Sequence, residues 1–94
     1  MNGPGPYVMS CDTIAGDAVV NRADEDLGRV EQIMIDPASG KIEHAVLAYG
    51  GVFGIGARFF SVSWKDLTLD AERKCFVLDL SKENLESFLS SYEL

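Results

Sequence analysis

Basic residues are scarce in this 94-residue sequence: eight Lys and Arg stand against fifteen Asp and Glu, giving a formal net charge of −7. The eight are scattered along the chain among acidic residues, as in DLGRVE and AERKC. Nucleic-acid binding depends largely on Lys and Arg that neutralise phosphates, so a chain without a basic stripe is not expected to bind nucleic acid directly. Adsorption to an anionic membrane surface is disfavoured for the same reason.

Long apolar runs are also missing. The longest uncharged run, residues 45–57, contains four glycines and is shorter than the roughly 20 apolar residues of a membrane helix. No basic segment followed by an apolar stretch marks a secretory signal at the amino terminus. Cys11 and Cys75 are far apart and lack metal-type spacing, so buried free thiols are expected. We therefore expect a cytoplasmic protein that does not insert into a membrane.

Phosphate-binding motifs are incomplete, although the segment YGGVFGIGARFF is rich in glycine. A dinucleotide fingerprint needs a third glycine and a following helix, but Phe59 occupies the glycine position and the next residues are β-prone. A P-loop needs Lys and a hydroxyl residue after Gly56, where Ala57 and Arg58 stand. These glycines are therefore expected to shape a loop, since glycine permits positive φ and close backbone approach.

Catalytic and metal-binding patterns are absent from the rest of the sequence. A calcium loop beginning at Asp24 would need Gly and Glu where Arg29 and Ile35 stand. The single histidine, His44, has no nucleophilic Ser or Cys placed beside it by a motif. One histidine and two distant cysteines do not complete a familiar zinc site. We predict no enzyme activity, no cofactor and no metal ligands.

Short β-prone runs separated by turn residues are the main pattern that is present. The runs 29–36 and 42–49 flank the segment DPASGK, whose Asp, Pro and Gly favour a turn, so the two should form an antiparallel hairpin. Apolar residues occupy both faces over part of each run, at Ile33, Met34 and Ile35 in the first and at residues 45–49 in the second, which predicts burial from both sides.

The carboxy-terminal segment changes period. Leu85, Phe88, Leu89 and Tyr92 follow the i, i+3, i+4, i+7 spacing of an amphipathic helix, and Ser81 is a candidate N-cap. We expect this apolar stripe to pack on the sheet.

Further strands are expected at residues 18–21, 58–64 and 75–80. Five or six short antiparallel strands plus a terminal helix predict a mainly β fold, a small barrel. Residues 10–94 should form one domain, and residues 1–9, rich in Gly and Pro, a flexible arm.

Apolar residues stand between the loop glycines at Val52, Phe53 and Ile55, where polar turn residues would be usual. Apolar side chains on a loop either fold back into the core or form a contact patch, and the sequence leaves both readings open. With the nearby aromatics Phe59 and Trp64, these residues form a candidate interaction patch.

Read in order, the landmarks resemble the PRC-barrel family over roughly residues 11–88. The most specific pieces are DLGRV, the DPASG hairpin, and GGVFGIG leading into a strand that ends at VSW, with Ser63 where proline is usual. The resemblance implies a six-stranded antiparallel β-barrel without shared catalytic residues. It also implies a protein-binding role, because understood members bind proteins and stand-alone copies are often dimers or adaptors.

The first functional hypothesis is a non-enzymatic protein-interaction or adaptor module that self-associates as a homodimer. So small a core gains stability from a partner chain. The alternative is a small-ligand or metal-binding sensor that uses the barrel mouth and its acidic rim.

Overall fold

The computed structural model describes residues 14–51 and 55–91, with side chains as far as residue 89. The predicted arm at residues 1–9, Cys11, the patch residues Val52 and Phe53, and Tyr92 lie outside the described residues.

Six strands form one strongly curled, half-barrel sheet in the order β4-β3-β2-β1-β6-β5. Their bounds are β1 (Ala18–Val20), β2 (Asp26–Asp36), β3 (Lys41–Tyr49), β4 (Arg58–Ser63), β5 (Leu67–Asp70) and β6 (Cys75–Leu78). A 3-10 turn, Trp64–Asp66, joins β4 to β5, and helix α1 (Lys82–Ser91) follows β6. The predicted mainly β fold with a carboxy-terminal helix is confirmed.

One strand pair differs from the antiparallel expectation. Val19 and Val20 of β1 pair with Phe76 and Val77 of β6 in parallel, whereas the other neighbours in the sheet are antiparallel. The chain enters β6 by a hairpin from β5, so β6 runs back beside β1 in the same direction.

The β2–β3 hairpin forms as predicted. Asp36 Oδ1 accepts a hydrogen bond from the Ala38 N–H, and the Asp36 carbonyl accepts one from the Gly40 N–H at 2.7 Å. The expected two-sided burial is found in β3, where the successive residues Leu47 and Ala48 are both buried. It is wrong near the hairpin tip, because Met34 and Ile35 are 40% and 50% exposed. The reason is that β1 pairs with β2 only between Asp26 and Arg29, so the far half of the hairpin extends past its neighbour.

The core is one cluster of buried apolar side chains. Its fully buried side chains include Val19, Leu27, Val30, Leu47 and Leu85. They are contributed by β1, β2, β3 and the helix, so all four elements share one cluster. Cys75 is a buried free thiol, as expected.

Helix α1 begins with the predicted cap. Ser81 Oγ accepts a hydrogen bond from the Asn84 N–H at 3.0 Å, which satisfies one of the free donors of the first turn. Leu85 and Leu89 are buried against the sheet, whereas Phe88 is 45% exposed. The expected stripe is therefore narrower than its sequence spacing indicated.

A buried asparagine ties the loop after β1 to the segment between β6 and the helix. Asn21 Nδ2 donates to Glu25 Oε1 at 2.8 Å and to the Leu80 carbonyl at 3.1 Å. Its Oδ1 accepts hydrogen bonds from the N–H groups of Ala23 and Glu25. The hydrogen bond from Asn21 lowers the pKa of the Glu25 carboxyl, and a second one from the Lys82 N–H adds to this effect.

The DLG segment has a steric requirement for its glycine. Gly28 has a φ of +112°, and a Cβ at this position would lie 2.1 Å from the Ala48 carbonyl oxygen of β3. Asp26 Oδ1 accepts a hydrogen bond from the Gly28 N–H at 3.0 Å. The Asp26 side chain thus holds residue 28 in a backbone conformation that glycine adopts readily and that other residues rarely adopt.

Candidate interaction surface

Strand β4 exposes one aromatic side chain and buries the next. Successive residues of a strand point to opposite faces, so Phe60 enters the core while Phe59 stays outside. Phe59 is 57% exposed, which is unusual for a residue of this size.

A groove of about 440 Å³ runs between β4 and the second half of α1. Its lining contains no charged residue and consists of Phe59, Phe60, Ser61, Phe88 and Leu89. The two partly exposed aromatic rings, one from the strand and one from the helix, give this groove an apolar rim.

Two hydrogen bonds hold the helix beside the strands that form the groove. An Arg58 guanidinium N–H donates to the Leu89 carbonyl at 2.6 Å, and Tyr49 Oη donates to Glu86 Oε2 at 3.1 Å. Burial raises the pKa of the Tyr49 hydroxyl, and the hydrogen bond to Glu86 adds to this effect. The relative position of strand and helix is therefore fixed by polar contacts as well as by the buried leucines.

The predicted patch residues do not all lie together. Ile55, just before β4, is 79% exposed, and Phe59 lines the groove. Trp64 instead packs on the core, with its ring centroid 5.7 Å from that of Phe76. The part of the patch that is described and exposed is thus Ile55 with Phe59.

The glycines around the loop serve backbone geometry. Gly50, Gly51 and Gly56 have positive φ, and a Cβ at Gly51 would lie 2.7 Å from the Ala57 nitrogen. The chain then enters strand β4 and not a helix, so no helix N-terminus is present there to receive a phosphate.

Polar side chains elsewhere do not assemble a familiar reaction centre in the part of the chain that is described. His44 Nδ1 lies 3.1 Å from Glu43 Oε1, and Ser63 is the register partner of His44 on β4. Residues 14–51 and 55–91 contain no group of three or more His, Cys, Asp or Glu placed to hold a metal ion. No helix within these residues is long and apolar enough to cross a membrane.

Comparison with protein families agrees with this curled sheet and its helix. The PRC-barrel domain model matches residues 7–85, which is most of the chain. The chain belongs to the PRC-barrel domain family. No curated protein matches the sequence at a significant level. PRC-barrel domains generally lack catalytic activity.

Ser63 stands where the sequence resemblance predicts a proline, and its backbone has a proline-like conformation. Ser63 has φ −62° and ψ 138°, and a proline ring fixes φ at about −65°. Serine thus adopts the conformation that the usual proline would impose, and the 3-10 turn still begins at Trp64.

The exposed ring of Phe88 is the feature of this PRC-barrel domain that sequence reasoning missed. Its spacing from Leu85 and Leu89 placed it in the buried stripe, but the helix turns it toward the rim of the groove. The sequence carries no signal for this, because the rotation of a helix about its axis is set by the sheet that it packs on.

Proposed function

We propose that this PRC-barrel domain is a non-enzymatic protein-interaction module that self-associates, and that it does so through Ile55 and the Phe59–Phe88 groove. The exposed Phe59 beside an uncharged groove is the observation that carries the proposal. Contact surfaces are enriched in aromatic residues and depleted of charge at their centres.

The size of the exposed apolar surface supports this role. Ile55, Phe59 and Phe88 together expose roughly 300 Å² of apolar side chain, taking ~200 Å² for a fully exposed aromatic residue. An apolar patch of about 300 Å² lies at the lower end of the largest patches on typical monomers, and such patches are often functional. An adaptor role follows if the joined copies present their remaining surfaces to another protein.

The test is the mass in solution of the wild type and of a double variant, Ile55→Ser with Phe59→Ser, measured by light scattering. Both substitutions fall on exposed side chains, so circular dichroism should show a folded domain. A matched control is Met34→Ser with Ile35→Ser, which removes a similarly exposed apolar pair from the hairpin tip.

We expect a wild-type dimer that the Ile55/Phe59 variant dissociates and the Met34/Ile35 variant leaves intact. A wild type that stays monomeric over a wide concentration range contradicts self-association. A dimer that dissociates only in the Met34/Ile35 variant would place the contact at the hairpin tip instead.

A further inference from the structure

Strand β4 is an edge strand whose own sequence carries little of the usual protection of an edge. It has β3 on one side and, among the strands that are described, no neighbour on the other. Natural edges are commonly blunted by Lys, Pro or a charge that points into the sheet. The sequence of β4, RFFSVS, has no Lys or Pro, and its only charge is Arg58 at the first position. The sequence of β4 therefore does not itself block pairing with another strand.

The opposite edge differs in charge. The surface beside β5 is lined by Arg22, Asp70 and Glu72, among others, and Asp70 forms an ion pair with Arg73 at 2.8 Å. An approaching strand would have to accommodate or desolvate these groups. The two edges of the sheet are thus chemically distinct, and the β4 edge is the apolar one.

Charge also indicates what kind of partner fits the β4 edge. Residues 45–65 contain no Asp or Glu, although the chain has fifteen, and the Glu86 carboxylate that lies beside the segment is hydrogen-bonded to Tyr49. Two copies, each with a net charge of −7, repel each other least where both present this carboxylate-free segment. A basic partner would gain no electrostatic attraction from this segment. The segment therefore suits an occupant that is itself acidic.

The apolar area is also consistent with the centre of a dimer contact. A stable interface buries about 800 Å² on each partner, and its centre is more apolar than its rim. The roughly 300 Å² exposed by Ile55, Phe59 and Phe88 would supply that centre, with the backbone and serines of β4 around it.

We propose that the occupant is the β4 strand of a second copy, paired antiparallel with the first across a two-fold axis, so that the two sheets join into one. This inference rests on the self-association proposed above and specifies its geometry. A two-fold axis brings the same strand to both sides of the contact, and strand addition at an edge supplies main-chain hydrogen bonds. Phe59 and Phe88 of each copy then contribute to the covering of both grooves.

The test places a lysine in the middle of each edge strand. Ser61→Lys puts an exposed charge at the β4 edge, and Thr68→Lys puts the same charge at an exposed position of β5. Both variants reduce the net negative charge equally, so a general charge effect would be the same in the two. The dissociation constant is measured by sedimentation, and amide hydrogen exchange is followed in the wild type at low and high protein concentration.

We expect Ser61→Lys to raise the dissociation constant about tenfold or more, because two like charges meet across the axis, while Thr68→Lys leaves it unchanged. The β4 amides should exchange more slowly at the higher concentration. A dimer that Ser61→Lys leaves intact, or whose β4 exchange does not depend on concentration, overturns strand pairing but not self-association. A wild type that is monomeric throughout overturns both proposals.

Discussion

A methyl group added at Gly28 has no space to occupy. In Gly28→Ala the new Cβ would lie 2.1 Å from the Ala48 carbonyl oxygen and 3.0 Å from its carbon, both backbone atoms that cannot rotate away. The φ of +112° adds a conformational cost of about 1–2 kcal/mol for an L-residue. Forcing extra volume into a packed site costs about 1–3 kcal/mol more. The variant should therefore lose about 2–5 kcal/mol, a large part of the 5–15 kcal/mol typical of a folded domain.

The control is Gly40→Ala in the β2–β3 turn. Gly40 also has a positive φ, +74°, but a Cβ there would meet no atom within 4 Å. It carries a similar conformational cost without the clash, so the difference between the two variants isolates the close approach of β2 to β3. Urea unfolding followed by circular dichroism measures this difference, which we expect to be about 2 kcal/mol, or roughly 8–16 °C in Tm. Equal losses in the two variants would refute the steric explanation of the DLG glycine.

Three further outcomes are expected. Asn21→Ala should lower the free energy of unfolding in urea by about 2–3 kcal/mol, because the Leu80 carbonyl and two loop N–H groups lose their partner. The control Asn84→Ala, on the exposed helix surface, should change it little. Equal effects of the two substitutions would contradict the role of the buried network. Hydrogen bonds from Asn21 and Arg73 lower the pKa values of Glu25 and Asp70 respectively in the folded state. The two ionised carboxylates therefore stabilise the folded state at pH values above the ordinary carboxyl pKa of about 4, and this stabilisation is lost as the pH falls through the lowered pKa values. In a Glu25→Gln, Asp70→Asn double variant, the free energy of unfolding should fall less steeply as the solution is acidified. In a thermal-shift panel of common cofactors and divalent ions we expect no change in Tm. A ligand that stabilises the folded domain by about 2.7 kcal/mol at a hundred times its Kd would instead favour the small-ligand or metal-binding sensor.

Local chemistry accounts for the parts of the fold that sequence reasoning predicted. The β2–β3 hairpin follows from a turn in which Asp36 and Gly40 supply the hydrogen bonds and the positive φ. The cap at Ser81 follows from its reach to the Asn84 N–H. Such contacts join residues a few positions apart, so spacing and residue type suffice to predict them.

Long-range contacts account for what sequence reasoning did not predict. The exposure of Ile35 depends on where β1 stops pairing with β2, and the parallel β1–β6 pairing depends on how β5 returns the chain. For the candidate surface, the sequence indicated Ile55 and Phe59. It did not separate Trp64 from them or add Phe88, because both outcomes depend on which elements lie side by side.

The parallel pairing of β1 with β6 also has a consequence for how the chain acquires its fold. β1 is only three residues long, and its partner β6 follows more than half of the chain later. Pairings so distant in sequence require a large loop to close first, which slows folding. During synthesis the local β2–β3–β4 meander can form early, whereas β1 keeps one unpaired side until β6 has emerged from the ribosome. We therefore expect nascent chains that end before residue 75 to remain incompletely folded, with Val19 and its core neighbours open to chaperones or to mispairing.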